Sequence, residues 1–100
     1  DAPTAVFAHN DQAALGALDA LALRGLTPGV DLSVVGYDNS SVSRFPGTAL
    51  TTVDVDGKLL GRTAVDLALG RLADPDAEPM LRASRPTLVV RATTGPPPAA

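Results

Sequence analysis

The nine residues Asp31-Leu32-Ser33-Val34-Val35-Gly36-Tyr37-Asp38-Asn39 constrain this chain most. A short apolar run breaks at Gly36, and a phenol, a carboxylate and an amide follow in direct succession. A continuous apolar run bounded by turn formers is the pattern of a strand buried on both faces in a parallel sheet. In open α/β sheets, ligands sit just beyond the carboxyl ends of such strands. Tyr37, Asp38 and Asn39 therefore fall where a pocket is expected.

The residues upstream deliver the chain to this strand. Residues 4–8 read as a short buried strand. Asn10 is a good N-cap, and Asp11 suits the positive end of a helix dipole. The helix is expected from about Asp11 to Arg24, with Gly25 as the residue that ends it. It is apolar over most of its circumference, which predicts two buried faces. Strand, helix and strand within about thirty residues make a βαβ unit, so the fold class is α/β with a parallel sheet.

Downstream, residues 38–49 read as a polar loop, and residues 50–53 as a third strand. Asp54 or Asp56 caps a second helix that runs to about Leu72, where Asp74-Pro75 stops it. Residues 79–83 are expected to be extended, residues 87–91 to form a final strand, and residues 94–98 a flexible tail.

Composition excludes several function classes. Eight basic residues are scattered among eleven acidic ones, for a net charge of −3, so the segment has no concentrated basic face for nucleic acid. There is no cysteine, hence no disulfide framework and no thiolate metal site, which suits a reducing compartment. No apolar run approaches a membrane span. His9 is the only histidine and has no partner cluster, so no metal or other cofactor is expected. The serines lack a nucleophile elbow, and no glycine-rich phosphate loop occurs, so no enzyme active site can be assembled. The N-terminus has no signal-peptide pattern, and its start just before an apolar strand suggests a piece of something longer.

Several segments resemble the lactose-repressor/galactose-repressor (LacI/GalR) family of bacterial transcription regulators. Val6-Phe7-Ala8-His9-Asn10-Asp11-Gln12-Ala13-Ala14-Leu15-Gly16-Ala17-Leu18 is similar to that family's F-A-x-N-D-x-x-A-L-G-A-L segment. Residues 31–39 are similar to its D-I-S-V-V-G-F-D-D stretch and the close variants of it. Leu50-Thr51-Thr52-Val53, Leu60-Gly61-Arg62-Thr63-Ala64-Val65 and Leu88-Val89-Val90-Arg91-Ala92-Thr93-Thr94-Gly95-Pro96 match further family segments in order. Thr48-Ala49 stands where the family often has two prolines, and His9 where it usually has a small residue.

The resemblance implies the C-terminal portion of a periplasmic-binding-protein-like, effector-binding and dimerisation region. Residues 4–52 would belong to the C-terminal lobe, residues 53–90 to the N-terminal lobe, and residues 91–100 to the return and tail. The DNA-binding headpiece would lie outside this chain. The implied partners are a small polar effector (a sugar first, a nucleobase second), a second copy of the chain, and operator DNA reached through the headpiece. The implied location is cytoplasmic.

Four residues are expected at the ligand. Asp38 can accept two charge-assisted hydrogen bonds from hydroxyl or ring N–H groups; its bland alternative is a turn-forming aspartate. Asn10 can donate and accept, but it can also serve purely as the cap. Phe45 can stack on a sugar or base face or plug a core edge. His9 lines the cleft or merely covers it. The resemblance also places Ala14, Leu15 and Leu18 on the outer side of the first helix, with Val42, at a dimer interface; the alternative is intramolecular core. The competing function is a sugar-binding protein of an uptake system, which shares the fold.

Overall fold

The computed structural model describes residues 2–99. β1 (Ala5–Phe7) leads into α1 (Asp11–Leu23), and α1 returns to β2 (Ser33–Val35). The two strands pair in parallel, with Ala5 opposite Ser33, Val6 opposite Val34 and Phe7 opposite Val35. The helix ends are set by their local chemistry. Asn10 Oδ1 accepts from the Ala13 amide at 2.8 Å. At the other end Gly25 adopts φ +66°, its N–H donates to Ala22 and the Leu26 N–H to Leu21. This double closure satisfies carbonyls that the last turn leaves open.

β2 is the central strand. On one side it meets β1; on the other, the Gly36 N–H donates to Thr51 O and the Val34 N–H to Thr93 O. The chain then forms β3 (Thr52–Asp54) and β4 (Thr87–Val89), which pair antiparallel. Between them runs α2 (Gly57–Ala73), capped by Asp56, whose carboxylate accepts from the Leu59 amide at 3.1 Å. Residues 79–83 form no regular element, and part of the expected loop winds into a short 3-10 turn, Ser41–Arg44.

The core is small and lies at one end. Ala14, Leu21, Val34 and Leu50 are buried, with Ala8, Ala17, Leu18 and Leu32 packed around them. The radius of gyration is 18.4 Å. A compact domain of this length has about 13 Å. α2 has no buried residue and stands apart from this core.

Three further expectations change. β1 is exposed along its length, Phe7 by 66%, because no described layer packs on its outer face. α1 buries one face rather than two: Asp11, Ala14 and Leu21 are its buried residues. Ala14 does not face outward. It is fully enclosed in the core with Val34 and Leu50.

Candidate ligand-binding site

The carboxyl ends of β1 and β2 lie side by side. Beyond β1, the Ala8 N–H donates to Val35 O, and the Asp11 N–H to Tyr37 O. Asn10 and Asp38 therefore follow two paired strand ends at the same edge of the sheet. The rings of Phe7 and Tyr37 sit next to each other there, with centroids 6.4 Å apart and planes tilted by 41°.

The tip after β2 has an unusual backbone. Asp38 has φ 110° and Asn39 φ 50°, a region that L-residues rarely occupy. Each such residue costs roughly 1–3 kcal/mol and persists only when its surroundings over-determine it. They do so here. The Asp38 N–H donates to Val53 O at 2.9 Å, the Asn39 N–H to Thr52 Oγ1 at 3.3 Å, and the Ser40 N–H to Asp11 Oδ2 at 2.7 Å. Three consecutive amides are thus fixed from α1 and β3. The Asp38 side chain is left exposed, and its carboxylate accepts no hydrogen bond among the described residues.

Asp11 is fully buried, a role beyond the helix dipole expected for it. Its Oδ2 accepts from both the amide and the hydroxyl of Ser40, and its Oδ1 from Thr52 Oγ1. Asn39 forms a second hub. Its Oδ1 accepts from Ser43 Oγ and from Arg91 Nη2 at 2.8 Å, while its Nδ2 donates to Asp54 Oδ2 at 2.9 Å. Arg91 also donates through Nη1 to Leu50 O and Ser43 Oγ. An arginine after an apolar strand and a threonine pair in a strand were the available signals.

The remaining expected residues are dispersed. Asn10 is half-buried and its side chain is engaged as the cap. His9 is exposed beside it. Phe45 is 58% exposed and belongs to a different turn, in which its carbonyl accepts from Thr48 and Ala49. Leu15, Leu18 and Val42 are half-buried, and Leu18 leans on the core. A cavity of about 630 Å³ lies elsewhere, between α2 and residues 77–82. It is an open groove on a helix that buries no residue, so it does not define the site. No cluster of metal-ligating side chains occurs among the described residues, and no helix there is long and apolar enough to cross a membrane.

The Asp54 carboxyl is held below its usual value of 3.8, chiefly by the Asp56 amide and then by the Asn39 side chain, against some desolvation. A depressed folded pKa contributes stability that is full above the unfolded value and is lost as pH falls through the folded one. Below about pH 4, the urea midpoint of Asp54→Asn should therefore fall less steeply with acid than that of the parent. Parallel acid limbs would show that Asp54 carries no such linkage.

The periplasmic binding protein-like domain family matches residues 1–94. This chain belongs to that family. The transcriptional repressor PurR of Pasteurella multocida is 42% identical over 89 residues, which cover 89% of this chain and 27% of the repressor. A lac repressor dimer, solved bound to operator and the anti-inducer ONPF, superposes with a TM-score of 0.82 at 42% identity, over 94% of this chain and 32% of that one. A LacI-family regulator from Enterococcus faecium with bound ribose gives a TM-score of 0.87 at 32% identity, over 96% of this chain and 36% of the other. Within the periplasmic binding protein-like family, the chain is thus part of a LacI/GalR-type effector-binding region. It spans about a quarter of the length of the curated relatives it matches.

Proposed function

We propose that this chain is the ligand-sensing and dimerisation part of a DNA-binding transcription regulator that acts in the cytoplasm. The effector is a small polar molecule, a sugar in the first instance and a nucleobase in the second. The observation that carries this reading is the tip. A carboxylate that accepts no hydrogen bond among the described residues stands at the carboxyl end of a central parallel strand, on a backbone held in a costly conformation by three hydrogen bonds from its amides. An unpaired carboxylate there can accept from two neighbouring hydroxyls, and such charge-assisted bonds are the strong ones. Asn10, at the adjacent strand end, supplies a group able to donate and accept.

The relatives support the class. They bear the names of transcription regulators rather than transport proteins, one structure holds ribose, and one is a dimer on operator DNA. Residues 4–52 and the α2 region would be parts of two lobes that close around the effector, with the β3–β4 ribbon as the crossing. Leu15, Leu18 and Val42 remain the proposed contacts with a second copy. Closure would alter how the dimer presents its headpieces, which is allostery in the thermodynamic sense.

The test uses the full-length protein in a thermal-shift screen against monosaccharides and nucleobases. A ligand specific to the folded state at a hundred times its Kd adds about 2.7 kcal/mol of stability. For a ligand so found, Asp38→Ala should weaken binding by about a hundredfold, from the loss of one or two hydrogen bonds to a charged group. Operator affinity without effector should stay unchanged. Equal effector affinity in the variant would remove Asp38 from the pocket.

A further inference from the structure

The Asn39 side chain reaches beyond its own loop. Its Nδ2 donates to Asp54 Oδ2 at 2.9 Å, and the other oxygen of that carboxylate accepts from the Asp56 amide at 2.7 Å. Asp56 is the N-cap of α2. Its side chain accepts from the Leu59 amide at 3.1 Å, and its carbonyl from the Leu60 amide at 2.9 Å. Asp56 itself sits at φ 49°. A non-glycine residue in the left-handed region holds that conformation only against a cost. Here the Asp54 carboxylate bonds to the amide of the strained residue.

Two strained backbone sites, the tip at residues 38–39 and the cap at residue 56, are therefore joined through one carboxylate. Both ends of the link are polar side chains on fixed backbone. β3 runs between them and pairs with β4. The link is also specific at the Asn39 end. Its Oδ1 is already used by Ser43 and Arg91, which fixes the amide plane and aims Nδ2 at Asp54.

We propose that Asn39 is a positioning residue that transmits the conformation of the Asp38 tip through Asp54 to the cap that starts α2. A tip that moves when an effector engages Asp38 drags Nδ2 off the Asp54 carboxylate. Asp54 is then free to release the Asp56 amide, and the first turn of α2 loosens or re-aims. Coupling of this kind is a two-ended property: a break at either end must be felt at the other. The consequence for regulation rests on the reading of the tip as the effector site, whereas the test needs no effector.

The test is amide hydrogen exchange of the full-length protein. Asn39→Gly deletes the side chain at a positive φ where glycine is at ease, so the backbone is spared. Exchange at the Leu59 and Leu60 amides should then rise about fivefold or more, as expected for losing one link in the support of a cap, while the middle of α2 stays unchanged. In an Asp54→Ala background the same substitution should add less than about twofold, because the link is already cut. In the reverse direction, Asp54→Ala removes a half-buried carboxylate outside the core and should raise exchange at the Asn39 amide by a similar factor. Unchanged protection of Leu59 and Leu60 in Asn39→Gly, or an equal rise in the Asp54→Ala background, overturns the proposal. If Asn39→Gly does not fold, unchanged exchange at Asn39 in Asp54→Ala overturns it alone. None of these outcomes bears on whether a sugar binds, so failure here is distinct from failure of the sensor reading.

Discussion

Replacing Asp11 with alanine is expected to cost about 4 kcal/mol of folding stability, the largest loss from any single polar side chain in the chain. The carboxylate is fully buried and serves three donors: the Ser40 amide, the Ser40 hydroxyl and the Thr52 hydroxyl. Hydrogen bonds to a charged group contribute roughly 1.5–3 kcal/mol each, and truncation strands the donors without partners. The contributions share one carboxylate and do not simply add. Against a typical stability of roughly 5–15 kcal/mol, the loss is a large fraction. Asp11→Asn keeps the volume and one acceptor but turns an amide donor toward a hydroxyl or N–H, so about half the loss is expected. Urea midpoints of the full-length protein at neutral pH check both values. A loss of under about 1 kcal/mol for Asp11→Ala would mean that the three bonds contribute little.

The loss should not be confined to stability. Ser40 is the third of three anchored amides, and Asp38 and Asn39 keep positive φ only while those anchors hold. Without Asp11 the tip can relax toward ordinary backbone, and the Asp38 carboxylate proposed to bind the effector would move with it. Asp11→Ala is therefore expected to weaken effector binding although Asp11 is itself fully buried.

What the sequence discloses about this chain follows the range of the interactions concerned. Asn10 as cap and Gly25 as the residue after the helix are legible because their partners lie within five positions. The sequence does not choose between Asp54 and Asp56 as the cap of α2. The structure gives the cap to Asp56 and makes Asp54 its support. The largely apolar run at residues 32–35 marks the central strand in both, with partners on both edges, but only Val34 is fully buried, while Ser33 and Val35 are half-buried. The exposure of β1 is not legible, because an apolar pattern states which residues can be covered and not what covers them. From sequence Asp11 is only a helix-dipole residue, since its partners lie 29 and 41 positions away. Arg91 is only the end of a strand for the same reason: its acceptors at Leu50, Ser43 and Asn39 are 41 to 52 positions distant. The positive-φ tip leaves only a weak signal: aspartate and asparagine adopt such backbone more often than other L-residues, but neither requires it as a glycine would suggest.

Adding one methyl group at Gly36 should destabilise the protein by about 3 kcal/mol, while the same change at Gly16 should stabilise it by about 0.5–1 kcal/mol. Gly36 follows β2 and has no positive φ, so conformational freedom is not its reason for being there. Space is. A Cβ at this position would run into Asp11 Oδ1, and it would stand 2.9 Å from Leu50 Cδ2 and 3.2 Å from Asp11 Cα. The oxygen cannot swing away, because Thr52 and Ser40 hold the carboxylate from two sides. The backbone of α1 cannot retreat either without breaking the Asp11 N–H bond to Tyr37 O. Gly16 lies mid-helix in α1, and a methyl group there would meet nothing within 4 Å, so alanine only reduces the entropy of the unfolded chain. Urea denaturation of the two variants separates packing from propensity by sign. A double variant isolates the clash itself. In an Asp11→Ala background the obstructing oxygen is gone, and the Gly36→Ala penalty should shrink by at least about 1 kcal/mol, leaving the approach to Leu50 and the α1 backbone. Full additivity would mean that Gly36 is required by something other than the buried carboxylate beside it.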